Sequence, residues 1–414
     1  MWETLRSITS LLLSFGLLLL ANGLFGTLLG LRSKLEGFST EMTGLIMAGY
    51  SAGLLLGALY AVRAVASVGH IRSFAAFASI MSTAVLLHLL WVEPIFWLVL
   101  RVVAGFCMAG MVMVAESWIN ERATNGTRGR IMSLYMVTNY MGSGCGQLLL
   151  NVAEPEEFQL FVIASIIFSI ALVPVLLTKA TSPKPVTSQR MSIVDLFRVS
   201  PVGVVGTVSA GLCNASVNSL GAVFAKDTNL SIAEVSIFMA CIILGGMVLQ
   251  FPVGRLSDLI DRRTTLALVA AATSACAVGI IYAATHGGGW TLFVLAAVYG
   301  GFAFTVYPLS CAQVNDLADP DRLVQVSAGL LVAFGIGAII GPIVSAITMG
   351  WIGPHGLFAF IAAVTATLVV FTLLRMLVRA RGTAPKSPFL PLGSVGIAGK
   401  QLYATITKNV TRSR

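Results

Sequence analysis

Two charged residues, Arg101 and Glu116, stand inside long apolar stretches of this 414-residue chain. A charge held in such surroundings usually faces a cavity or a partner, because burying it alone is costly. They are fifteen residues apart, so a single straight helix sets them about 22 Å from each other and within roughly 60° of one face, too far to pair directly. Arg101 has the chemistry to hold an anion or take part in ion coupling; the plainer alternative is bonding to carbonyls that stabilises a helix bundle. Glu116 has the chemistry to carry a proton, the plainer alternative being an ion pair with Arg122, Arg128 or Arg130. Uncharged amides make a second group: Asn22, Asn139, Gln147, Asn214 and Asn218. Asn214 and Asn218 are one helical turn apart, and Asn139 and Gln147, eight residues apart, are expected to share a face. Amides donate and accept without charge, which suits a neutral polar or zwitterionic ligand, although each can also bond a neighbouring helix. The hydroxyl of Tyr299 joins this set, with Tyr307 and Gln313 beside it.

Other patterns fail on context. Gly49-Tyr50-Ser51-Ala52-Gly53 fits a hydrolase elbow, but that elbow needs a strand-to-helix turn and this one sits in an apolar helical stretch. The four histidines and six cysteines show no metal-ligand spacing. No phosphate-binding G-x-x-x-x-G-K-[ST] run is present, so ATP-driven chemistry is not indicated. The expectation is a non-enzyme without metal or cofactor.

The elements that position these residues follow from composition. Hydrophobic residues make up 57% and charged residues 10% of the chain, far below the roughly 25% charged that soluble domains carry. Twelve stretches are long enough to cross a bilayer as helices: 8–30, 41–62, 73–92, 95–118, 131–151, 158–178, 202–224, 232–253, 265–285, 290–312, 324–348 and 357–378. The alternating pattern of membrane strands is absent, so an all-α membrane protein is expected. With the N-terminus inside, 22 of the 26 Lys and Arg fall on the cytoplasmic side. Only Arg32, Lys34 and Lys226 fall opposite, and Arg101 is within a span. That asymmetry puts both termini in the cytoplasm and assigns the net charge of +9 to topology and lipid rather than to nucleic acid.

The polar segment 179–201 divides a six-span bundle (1–178) from a second one (202–378), and a basic tail follows (379–414). A shift of 192 residues lays Phe38-Ser39 on Leu230-Ser231, Met47-Ala48 on Met239-Ala240, Arg63 on Arg255 and Asn22 on Asn214. Six plus six spans in the same orientation form a parallel repeat, the pattern of transporters that rock two bundles about a central site.

Several strings then carry a family resemblance. Gly254-Arg255-Leu256-Ser257-Asp258-Leu259-Ile260-Asp261-Arg262-Arg263 resembles the loop motif between the second and third spans of a half in the major facilitator superfamily; Val62 and Ala66 replace its Gly and Asp in the first half. Arg101-x-x-x-Gly105 resembles the family's fourth-span motif. Gly335-x-Gly337-x-x-x-Gly341-Pro342 resembles its Gly-Pro motif, though in span 11 rather than span 5. Gly69-His70-Ile71-Arg72, Ala115-Glu116-Ser117-Trp118-Ile119-Asn120 and the run Asn139 to Gln147 are similar to the YcaD-like branch. The resemblance spans residues 5–380. It implies alternating access for a small solute, proton coupling with Glu116 as carrier, and a cavity lined by spans 1 and 7, hence by Asn22 and Asn214. It also implies a monomer in the bacterial inner membrane. Gly254, Arg255, Asp258, Arg262 and Arg263 are then expected to form a cytoplasmic latch that holds the outward-facing state, the plainer alternative being basic residues at a membrane edge. Gly105, Gly337, Gly341 and Pro342 are expected to pack helices closely. Multidrug efflux and a solute sensor that does not transport remain the alternatives.

Overall fold

The computed structural model describes residues 2–122, 128–177, 190–378 and Phe389. The first half runs α1 (Trp2–Leu35), α2 (Thr40–Val68), α3 (His70–Leu90), α4 (Pro94–Arg122), α5 (Arg128–Leu148), α6 (Gln159–Ile170) and α7 (Leu172–Leu176). The last two are one broken span. A short helix, α8 (Ile193–Val199), precedes the second half. That half runs α9 (Pro201–Asp227), α10 (Ile232–Leu259), α11 (Arg262–Thr285), α12 (Gly289–Asn315), α13 (Leu323–Ile352) and α14 (Gly356–Val378). Most of the expected linker, 178–189, and all of the tail except Phe389 lie outside the described residues.

Eleven of these spans are long and apolar enough to cross a membrane by length and composition. The exception is α5, which carries Asn139, Ser143, Gln147 and four glycines. Its exposed apolar residues Leu134, Val137, Met141 and Leu148 fall on one stripe at helical spacing. A helix that offers lipid only a stripe can keep a polar inner face, which is why its average is low while its place among the spans is not in doubt.

The repeat is visible in the turns. Gly37 (φ +78°) and Asn229 (φ +66°) occupy equivalent left-handed positions, one a glycine and the other the residue that best tolerates that conformation. The bonds around them match: Phe38 N–H to Ser33 O and Leu230 N–H to Ala225 O, at 3.0 and 3.1 Å. The next residues, Ser39 and Ser231, cap α2 and α10 with their hydroxyls. Exposed Trp91, Trp290 and Trp351 sit at turns on this same rim, as amphipathic rings do at a membrane interface.

Within each half, glycines bring backbones close. A Cβ on Gly105 would overlap the Tyr50 carbonyl of α2, and one on Gly53 the Val102 carbonyl of α4. Gly337 and Gly341 stand in the same way against Val208 and Leu212 of α9. Pro342 lies inside α13, and its carbonyl backs onto Gly44 of α2, so this segment also joins the two bundles. Between the bundles, contacts gather at the rim that carries Gly37. Lys34 pairs with Asp227 at 3.1 Å, Asn151 bonds Ser236 at 2.7 Å, and Gly30 abuts the Ser219 carbonyl. Towards the middle, Tyr140 of α5 packs on Gly246 and Phe304, and Leu55 on Gly335. At the opposite rim α4 and α12 share no extended contact among the described residues.

Candidate functional site

A cavity of about 830 Å³, counting its open end, lies between the bundles. From α1 it takes Asn22, Gly23, Gly26 and Thr27; from α2 Met47, Tyr50, Ser51 and Leu54; from α4 Arg101. The fifth helix adds Ser143 and Gln147. The second half closes it with Asn214, Asn218 and Ser219 of α9, Met239 and Ile243 of α10, and Phe334 and Ala338 of α13. Among the described residues, no Asp or Glu lines it.

Each polar group is held by a short chain of local causes. The α2 glycines Gly49 and Gly53 lie against Leu98 and Val102 of α4. Tyr50, one residue on, is turned about 100° away from that seam and into the cavity. Its hydroxyl donates to Asn22 Oδ1 at 2.7 Å. The Arg101 guanidinium lies 4.3 Å from the Tyr50 ring centroid and 5.6 Å from that of Phe25, a cation–π arrangement. Arg101 is 3% exposed, and its Nε and Nη1 have no hydrogen-bond partner among the described residues. Gln147 is already engaged: its amide nitrogen donates to Gly23 O (3.1 Å) and Ser143 O (3.3 Å), and its oxygen accepts from Thr27. Asn214 Oδ1 is buried without a partner.

Five of the seven expected cavity residues therefore meet: Asn22, Arg101, Gln147, Asn214 and Asn218. Asn139 does not line the cavity but is buried elsewhere on α5. Eight residues turn a helix about 80° past two full turns, so Asn139 and Gln147 diverge rather than share a face. Tyr299 is also outside. Its ring meets Phe358 of α14 edge-on at 5.4 Å, because this side of α12 faces the interior of its own bundle. Sequence reasoning missed Tyr50, Thr27, Ser51 and Ser143. The glycine stripe beside Tyr50 was the available signal, since whatever flanks a helix seam at 100° faces a different neighbour.

Glu116 is 2% exposed and away from the cavity, accepting a hydrogen bond from the Tyr135 hydroxyl of α5 at 2.7 Å. Tyr135 in turn stacks on Phe15 of α1, with centroids 4.7 Å apart. The side chains of Arg122 and Arg128, expected as ion-pair partners, lie outside the described residues.

The loop from Gly254 to Arg263 is a built ion-pair cluster. Arg262 is 2% exposed; it pairs with Asp258 at 3.3 Å and with Asp316 after α12, and donates to Ser257 Oγ at 2.7 Å. Asp261 caps α11 through the Arg263 N–H (2.8 Å) and pairs with its guanidinium (3.1 Å). Arg255 lies over the Phe251 ring at 4.6 Å. Gly254 does leave room for a neighbour, but the neighbour here is the ring of Phe389 rather than a helix. The Phe389 N–H also donates to the Asp258 carboxylate (3.1 and 3.2 Å). The described partners of the cluster thus come from the second half and the tail.

Similarity to known proteins agrees with this architecture. The chain is 27% identical over 383 residues to the uncharacterized MFS-type transporter YcaD of Escherichia coli O17:K52:H18, covering 92% of this chain and 97% of that one. The same figures hold for the YcaD of Shigella flexneri serotype 5b. Among solved structures, the nucleoside transporter NupG superposes with a TM-score of 0.73 at 14% identity, over 90% of this chain and 99% of the other. A bacterial homolog of the human lysosomal transporter Spinster, inward-facing and unoccupied, gives 0.68 at 15% identity, over 99% and 98%. Residues 11–224 and 203–402 each match the Major Facilitator Superfamily profile. The chain is an integral, multi-pass membrane protein and belongs to the major facilitator superfamily.

Proposed function

We propose that this chain is a secondary transporter that carries a small polar solute across the bacterial inner membrane by alternating access, in step with protons. The observation that carries this reading is the cavity itself. It lies between the two bundles, is lined by repeat-related Asn22 and Asn214, and is tied off at the Gly37 rim by contacts such as Lys34–Asp227. With the basic residues inside, the Gly254 rim is the cytoplasmic one, and the lack of an extended α4–α12 contact there among the described residues supports access from that side. The lining supports a small polar solute over a drug, because Tyr50 and Phe334 are its only aromatic residues among those described, while hydroxyls and amides recur on both halves. Proton exchange is assigned to Glu116, and its enclosure on α4 with a hydrogen bond from Tyr135 of α5 supports that role.

Counterflow in liposomes tests the reading. Purified protein is expected to exchange internal for external labelled solute at a rate that depends on both pools, whereas binding without exchange would leave a sensor. Glu116→Gln is expected to abolish proton-driven accumulation while keeping counterflow; accumulation at the wild-type level would remove Glu116 from the coupling.

A further inference from the structure

We infer that the transported solute is a small organic carboxylate carrying a hydroxyl or N–H donor, with Arg101 holding its carboxylate. This rests on the reading of the cavity as a transport site and narrows it. A buried cation away from carboxylates is expensive, and such charges normally pair with an acid. Arg101 is enclosed, lines the cavity and has no acid beside it there among the described residues; what it does have is the face of Tyr50. Stacking on aromatic rings returns only part of the desolvation cost and leaves the guanidinium N–H groups unsatisfied. Two of those groups, on Nε and Nη1, have no partner among the described residues. A guanidinium with unsatisfied donors matches the charge and acceptors of a carboxylate.

The rest of the lining restricts the solute further. An amino group carried as ammonium would need an acid, and the described lining offers none. A zwitterion is therefore a poor match, and a net anion a good one. Asn214 Oδ1, buried and unpartnered, accepts from a neutral donor such as a hydroxyl. Asn22 Oδ1 is occupied by Tyr50, which fixes the ring beneath the guanidinium. Arg101 thus marks one end of the solute and Asn214 the other, on opposite bundles, so a single ligand touches both halves that must move.

The test uses the full chain in detergent and three pairs of probes: glycolate, lactate and 3-hydroxybutyrate, each against its own carboxamide. Thermal midpoints are recorded at matched ionic strength. At least one acid is expected to raise the midpoint while its amide does not. Arg101→Gln is expected to abolish the shift, and Arg101→Lys, which keeps the charge but loses the fork, to weaken binding by about tenfold. If Arg101→Gln does not yield folded protein, Asn214→Ala supplies the second arm. It should weaken lactate more than propionate, which lacks the hydroxyl. The proposal is overturned if no acid in the set shifts the wild type, if acid and amide act alike, or if the shift survives in a folded Arg101→Gln protein. Counterflow separates this from the transport reading. An acid that binds through Arg101 without counterflow keeps the site and removes the transporter. Counterflow of a neutral solute that is unaffected by Arg101→Lys removes the carboxylate and keeps the transporter.

Discussion

The turn after α2 and the turn after α10 occupy the same place in the two halves, yet they are held by different physics. A shift of 192 residues lays His70 on Arg262 and Ala66 on Asp258, and both His70 and Arg262 are 2% exposed. His70 stacks on Trp118 of α4, with centroids 6.3 Å apart, and the chain reverses through Gly69 at φ +90°. Arg262 instead sits among Asp258, Asp316 and Ser257, and the chain reverses through the capping residue Asp261. One solution is apolar and aromatic; the other is ionic and hydrogen-bonded. The backbone repeat therefore does not require the chemistry to repeat: the second turn carries Asp258 and Asp261 where the first has Ala66 and Gly69.

The largest expected effect is on the ionic side. Arg262→Gln leaves Asp316, largely buried, without its cation, and removing one partner of a buried pair costs about 3–5 kcal/mol. Chemical unfolding in detergent should show the loss; a cost below about 1 kcal/mol would mean that the pair is merely a surface contact. His70→Ala is expected to cost less, about 1–3 kcal/mol, through lost packing against Trp118. The cost should hold in 1 M salt, about where surface charges are screened beyond 3 Å. A strong salt dependence would mean that the Glu121 charge near His70, rather than packing on Trp118, holds the first turn, and would blur the contrast. The smallest effect concerns Gly254. Its alanine variant must displace the Phe389 ring, so Gly254→Ala should cost more in wild type than in a Phe389→Ala background, by roughly 0.5–1 kcal/mol. Simple additivity of the two substitutions would show that the ring does not rest on Gly254 in solution.

Much of the architecture was legible because membrane helices announce themselves one segment at a time. Each span must satisfy its own backbone and offer lipid an apolar surface, so length and hydropathy locate it without knowledge of its neighbours. Even α5 was found this way, although its polar inner face lowers its average. Site residues were legible to the extent that they were polar where lipid forbids it. Asn22, Asn214 and Arg101 stood out for that reason, and the cavity contains them. Tyr50 did not stand out, since a tyrosine in an apolar helix is unremarkable until its hydroxyl is seen on Asn22. Tyr299 looked equivalent by composition, yet packs against Phe358 inside its own bundle.

What the sequence by itself determined is the number, polarity and pairing of the elements, because the bilayer imposes those conditions on every span separately. Which side chains share a space was decided only in the tertiary structure. A helix presents a new direction every 100°, so eight residues of separation send Asn139 and Gln147 to different neighbours. The direction that becomes cavity, core or lipid depends on where the other eleven spans pack. The same holds for Gly254: its lack of a side chain was plain from the sequence, but that Phe389, 135 residues later, lies against it is a fact of packing alone.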